Sequence, residues 1–151
     1  MSVRAAIVEL DPEGVERANR IYSEVRFERS TPADRTFGIA DSGEWIALGR
    51  VCHRDDGAVE IGGFWTHPEH RGEGHARAVV SHVLGTIEAG TRVWCIPFDH
   101  LVPLYTSFGL EPVPEGTAAP ASIVAKLQSC GSAFSDPGGP RASHVLAMTK
   151  G

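Results

Sequence analysis

The chain has 151 residues, 42% hydrophobic and 22% charged, so one core can form and bulk disorder is excluded. With 14 Lys+Arg against 19 Asp+Glu the formal charge is −5, which argues against an electrostatic grip on nucleic acid. The densest apolar run, Val93–Phe98, is far too short to span a bilayer, and no apolar signal core opens the sequence. The expectation is a cytoplasmic protein without membrane or nucleic-acid partners. The three cysteines (Cys52, Cys95, Cys130) have no CxxC spacing, so neither a disulfide framework nor a zinc knuckle is expected.

In chain order, residues 3–10 predict a strand. Asp11 can cap a helix with Pro12 at its first position, and Val15, Ala18, Ile21 and Val25 extend that helix over residues 12–25. Residues 26–35 read as a polar loop. Thr36–Ala40 and Trp45–Cys52 flank Asp41-Ser42-Gly43, a hairpin signal, and Asp55-Asp56-Gly57 turns the chain into a third strand, Ala58–Thr66. Ala76, Val79, Val80, Val83, Leu84 and Ile87 form a helical stripe ending near Gly90. Arg92–Phe98 is apolar on both faces, as in a buried strand. Asp99 can cap a short helix running to Phe108, closed by Gly109. A strand near Val113, a helix over Ala121–Ser129 and a last strand over Ser143–Thr149 complete the chain. The elements predict an α+β fold: one mixed, mostly antiparallel sheet flanked by helices, in a single domain spanning 1–151. Residues 114–142 form a longer insertion before the last strand.

Chemistry concentrates in the stretch from Glu60 to Ala76. A strand stops at Pro68, a turn follows, and a helix opens near Gly74. Gly72, Gly74 and Ala76 would leave backbone amides exposed at the positive end of that helix, which suits a pyrophosphate. No G-x-G-x-x-G follows a βαβ strand and no Walker loop exists, so the two commonest nucleotide motifs are excluded. His67, His70 and His75 read as exposed turn histidines without a metal, because Pro68, Gly72 and Gly74 prevent a regular helix there. Cys95 reads as a small core residue, and Trp45, Trp65 and Trp94 as sheet packing.

Arg71, Gly74 and Ala76 fill the defined places of (Q/R)-x-x-G-x-(G/A), with Thr66-His67-Pro68 as lead-in. Downstream, Leu104-Tyr105-Thr106-Ser107-Phe108-Gly109-Leu110 matches L-Y-x-x-x-G-F apart from its last place. On both motifs the chain resembles the GNAT superfamily of acyl-CoA-dependent N-acetyltransferases. The resemblance implies a V-shaped split between the two central parallel strands and acetyl-CoA as the acyl donor, leaving CoA as product. It also implies cofactor contacts from Phe64, Trp65 and Thr66, and from Arg71, Gly72, Glu73, Gly74, His75, Ala76 and Arg77. Tyr105 would hydrogen-bond the departing thiolate, and Glu60 would act as general base. Full proton transfer from a phenol near pKa 10 to a thiolate near 8.5 is uphill by about 2 kcal/mol, which favours hydrogen bonding by Tyr105. A base matters most for a lysine-like acceptor, which costs roughly 4.6 kcal/mol to deprotonate at neutral pH.

The family often carries Asn seven residues before the tyrosine. This chain has Phe98, with Asp99 beside it. The implied activity is acetyl transfer to a primary amine by direct attack in a ternary complex. The acceptor, a small molecule or a peptide, is not written in the sequence. A non-catalytic acyl-CoA-binding module is the alternative, and insertion 114–142 could line the acceptor site or form a homodimer contact.

Overall fold

The computed structural model describes residues 6–114, 116–133 and 145–151. The expected strand positions 3–5 and 143–144, and the insertion residues 134–142, lie outside them. The described elements are β1 (Ile7–Glu9), α1 (Pro12–Glu24), β2 (Arg35–Asp41), β3 (Glu44–His53), β4 (Val59–Thr66), α2 (His75–Gly85), β5 (Val93–Cys95), α3 (Val102–Thr106), β6 (Glu111–Pro112), α4 (Ala121–Ala133) and β7 (Met148–Lys150). Seven strands make one mixed sheet in the order β1-β2-β3-β4-β5-β7-β6. Pairs β1–β2, β2–β3, β5–β7 and β6–β7 are antiparallel, whereas β4 and β5 run parallel. The parallel ladder runs from Val59–Val93 to Ile61–Cys95, while β4 itself continues to Thr66. That is the mixed sheet and central parallel pair the resemblance implies. The chain divides into two compact units, Met1–Cys52 with Gly63–Ile87 and His53–Gly62 with Glu88–Gly151.

In the first unit, Asp11 caps α1 by accepting the Gly14 N–H at 2.8 Å, and Pro12 starts the helix. Ser42 and Gly43 both take positive φ (52° and 82°), which matches the twist of a two-residue hairpin joining β2 to β3. Ala18 and Tyr22 of α1 bury against Trp45 and Leu48 of β3, with Leu10, Ile21, Phe27 and Trp65 around them. The Tyr22 hydroxyl donates to the Gly63 carbonyl at 2.9 Å, and the Arg50 guanidinium lies over the Tyr22 ring at 4.5 Å. Arg50, 2% exposed, donates to Ser30 Oγ at 3.1 Å. The Asn19 side chain exchanges two hydrogen bonds with the Ser30 backbone, so the polar loop is fastened to the helix.

In the second unit, Ala58, Trp94 and Ile123 form a core with Ile96, Val113, Ala119 and Ala147 around them. Asp56, in the turn between β3 and β4, caps α4 from a distance. Its carboxylate accepts the Ser122 N–H and hydroxyl, both at 2.9 Å, and the Ala58 N–H at 3.1 Å. α4 thus packs its apolar residue Ile123 inward from a helix start fixed by another element.

Several sequence expectations shift. The stripe to Ile87 overruns α2, because the Thr86 hydroxyl takes the Val83 carbonyl at 2.7 Å and the chain leaves the helix by i,i+3 bonds. Asp99 is not a cap: Phe98 holds that place, no side chain caps the 3-10 turn Asp99–Leu101, and α3 follows it. Gly109 does end this helical stretch, with φ 90°. β5 is shorter than Arg92–Phe98, since Pro97 has no N–H to continue a ladder. α4 reaches Ala133 rather than Ser129.

Gly63 and Gly62 differ in what they tolerate. Gly63 has φ +63°, and a Cβ there would sit 2.8 Å from the Tyr22 hydroxyl, whereas one at Gly62 meets only Glu60 Oε2 at 3.7 Å. Gly63→Ala is therefore expected to cost about 2 kcal/mol or more in urea unfolding, from left-handed strain plus the clash. Gly62→Ala should stay within about 0.5 kcal/mol.

Candidate active site

The helix start in the first unit leaves backbone amides uncapped and open. His67 N–H donates to the Ile46 carbonyl at 2.8 Å, fixing the end of β4, and a 3-10 turn, Pro68–His70, follows. Gly72 and Gly74 take φ 82° and 85°, conformations that glycine adopts without strain. Gly74 is the N-cap of α2 and brings no side-chain hydrogen bond to it. The first helical bond runs from Ala78 N to Gly74 O at 3.1 Å, so the preceding amides of His75 and Ala76 lack intrahelical acceptors. A Cβ added at Gly72 or Gly74 would meet nothing within 4 Å. Open space, uncapped amides and a positive helix end fit a pyrophosphate. Arg71, Gly72, Glu73, Gly74 and Arg77 are exposed, and His75 and Ala76 half-buried. Phe64, Trp65 and Thr66 are half-buried at the end of β4.

His70 and His75 depart from the expectation of exposed turn histidines. Both are half-buried and both contact one carboxylate oxygen, Glu73 Oε1, at 3.0 and 2.9 Å. Those bonds hold the Glu73 carboxyl below the usual carboxylate range.

The two candidate catalytic side chains lie in the second unit. Glu60, 1% exposed, is paired through both oxygens: Oε1 accepts from Arg54 at 2.7 and 3.0 Å, and Oε2 from Lys126 of α4 at 2.5 Å. Tyr105, 3% exposed, hydrogen-bonds the Cys95 thiol. Burial first, and Cys95 second, push the Tyr105 phenol well above its usual 10. Burial, reinforced by the Glu60 charge, likewise pushes the Cys95 thiol up, so it stays protonated, as a core cysteine should.

Arg54, Lys126, Asp56 and Ser122 escaped sequence reasoning. Asp56 reads only as part of a turn signal, the other three sit in no motif, and each acquires its partner only by folding.

Residues 4–110 match the family model described as the acetyltransferase (GNAT) family. This chain belongs to that family. Its members use acetyl-CoA. No curated protein matches the sequence. Among solved structures, ElaA from Escherichia coli superposes with a TM-score of 0.70 at 17% identity, over 97% of this chain and 99% of its own. An acyl-CoA N-acyltransferase from Pseudomonas aeruginosa gives 0.68 at 15% identity, over 99% and 100%. An aminoglycoside 6'-N-acetyltransferase complexed with coenzyme A gives 0.63 at 10% identity, over 96% of each chain. These likenesses establish the GNAT fold. No described helix is long and apolar enough to cross a membrane.

Two stability predictions follow from the pairing. Glu60→Ala leaves two half-buried cations without their shared carboxylate and is expected to cost on the order of 3 kcal/mol in urea unfolding, more than Lys126→Met. The hydrogen bonds from Ser122, then Ala58, hold the Asp56 carboxyl below its unfolded value of 3.8. A depressed carboxyl stabilises the fold above the unfolded pKa and loses that contribution as pH falls through the folded one. Protection of the α4 amides against hydrogen exchange should therefore hold at about pH 5 and drop at about pH 2.5. Asp56→Asn should blunt that drop.

Proposed function

We propose that the protein is an N-acetyltransferase that moves an acetyl group from acetyl-CoA to a primary amine by direct attack in a ternary complex. The carrying observation is the α2 start of a GNAT-family chain: two left-handed glycines, no side-chain cap, and open space above them. Acetyl-CoA supplies an acetyl group already activated as a thioester. Amides from Gly72 to Arg77, with the Arg71 charge, hold the pyrophosphate, and backbone groups of Phe64–Thr66 orient the pantetheine arm.

Tyr105 keeps its proton and donates a hydrogen bond to sulfur. It already serves one sulfur, the Cys95 thiol, and the proposed step redirects that donation to the CoA sulfur as the C–S bond breaks. With its pKa raised further above the thiolate's, hydrogen-bond stabilisation rather than full transfer is the role this phenol suits. Glu60 takes the amine's proton through water. That role requires Lys126 to leave Oε2 as the acceptor arrives, since both carboxylate oxygens are otherwise engaged.

A protein amine, a polyamine and an aminoglycoside all remain compatible acceptors. The family's solved members include a ribosomal-protein-S18-alanine N-acetyltransferase and a spermidine N-acetyltransferase. A second reading, a module that binds acyl-CoA without turnover, draws support from one observation: both candidate catalytic side chains are buried and already partnered. CoA release with a panel of amines separates the two.

Tyr105→Phe is expected to lower kcat by about 10-fold or more while acetyl-CoA affinity, measured by calorimetry, stays level. An unchanged kcat removes Tyr105 from the chemistry. Because the phenol stays protonated, kcat should show no alkaline fall below about pH 10 that Tyr105→Phe abolishes. Gly74→Ala should weaken acetyl-CoA binding at least ~10-fold, the loss of about one charge-assisted hydrogen bond. Wild-type affinity in that variant would overturn the cradle.

A further inference from the structure

Three side chains in the loop before α2 bring metal-ligating atoms to one point. Glu73 Oε1 lies 3.0 Å from His70 Nδ1 and 2.9 Å from His75 Nε2. All three atoms fall within 4.8 Å of one another. Bonds of about 2.0–2.2 Å to a tetrahedral ion place neighbouring ligand atoms roughly 3.3 Å apart, so two of the three edges are already near that size. Two imidazoles and a carboxylate suit a borderline first-row ion, Zn2+ foremost; Mg2+ and Ca2+ prefer oxygen throughout. We propose that His70, Glu73 and His75 form a three-ligand site for Zn2+ or a similar first-row ion, with the remaining coordination left to solvent.

The backbone explains how residues so close in sequence converge. His70 closes the 3-10 turn, held by its N–H to the His67 carbonyl at 2.8 Å, and His75 opens α2. Between them the left-handed Gly72 and Gly74 fold the chain back, so the two rings come to 6.1 Å and Glu73 meets both. The His70 and His75 side chains are only 30% and 19% exposed, so part of their rotamer freedom is already lost before an ion arrives. His67 stands apart. Its Nδ1 accepts the Glu69 N–H at 3.1 Å, and its ring meets His70 edge-on.

The test titrates untagged, chelator-stripped protein with Zn2+ against a chromophoric competitor. One ion per chain is expected, with His70→Ala and His75→Ala each weakening it at least ~10-fold. His53→Ala, at an exposed imidazole on β3, should bind as wild type. Glu73→Gln preserves size and a hydrogen-bond acceptor but is a poor ligand, so its affinity should fall while Tm holds. Circular dichroism confirms that each variant is folded. No uptake of Zn2+ overturns the proposal. So does wild-type affinity in the histidine variants, which would assign the ion to other groups, or in Glu73→Gln, which would remove the carboxylate from the ligand set.

Discussion

A carboxylate removed from water must be compensated, and in this protein Glu60 is the case that organises its surroundings. Arg54 reaches it from the turn after β3, and Lys126 reaches it from α4. Loss of either cation with no polar group taking its place would leave a large desolvation penalty on the remaining partners. The turn before β4 and α4 are therefore joined by charge, and Asp56 adds a second joint by capping α4 at Ser122. Apolar packing of Ala58, Trp94 and Ile123 then closes around two fixed points.

The first unit meets a comparable constraint with neutral groups. Tyr22 is buried completely, so its hydroxyl needs an acceptor, and the Gly63 carbonyl supplies it only because Gly63 bends with positive φ. The bend takes place in β4, whose last residues lead to the loop and to α2. The uncapped helix start is thus positioned by a strand in which a buried tyrosine and a left-handed glycine meet. Under the proposed function, backbone direction at this start matters as much as side-chain chemistry.

What the sequence disclosed follows the range of each interaction. Period-2 and period-3.6 patterns, Asp11-Pro12 and Ser42-Gly43 act over a few residues, so the elements they dictate appear where expected. The two motifs are also local, and they carried the family correctly. Thr86 shortens α2 through a hydroxyl-to-carbonyl bond that hydrophobic periodicity does not register. The pairing of Lys126 with Glu60 spans 66 residues and leaves no trace in either neighbourhood. The sequence reading weighs His67, His70 and His75 against a regular helix, which leaves the convergence of His70 and His75 on Glu73 unseen. Two left-handed glycines produce it.

The family match ends at residue 110, whereas α4 begins at Ala121. Its attachments nevertheless lie inside the matched region, at Arg54, Asp56 and Glu60. These positions are physically coupled to Ser122 and Lys126. A chain without α4 would leave Glu60 to Arg54 alone and Asp56 with only its Ala58 bond, so both positions would feel the loss together. Grafting α4 onto a relative would conversely require transplanting the acceptor carboxylates first.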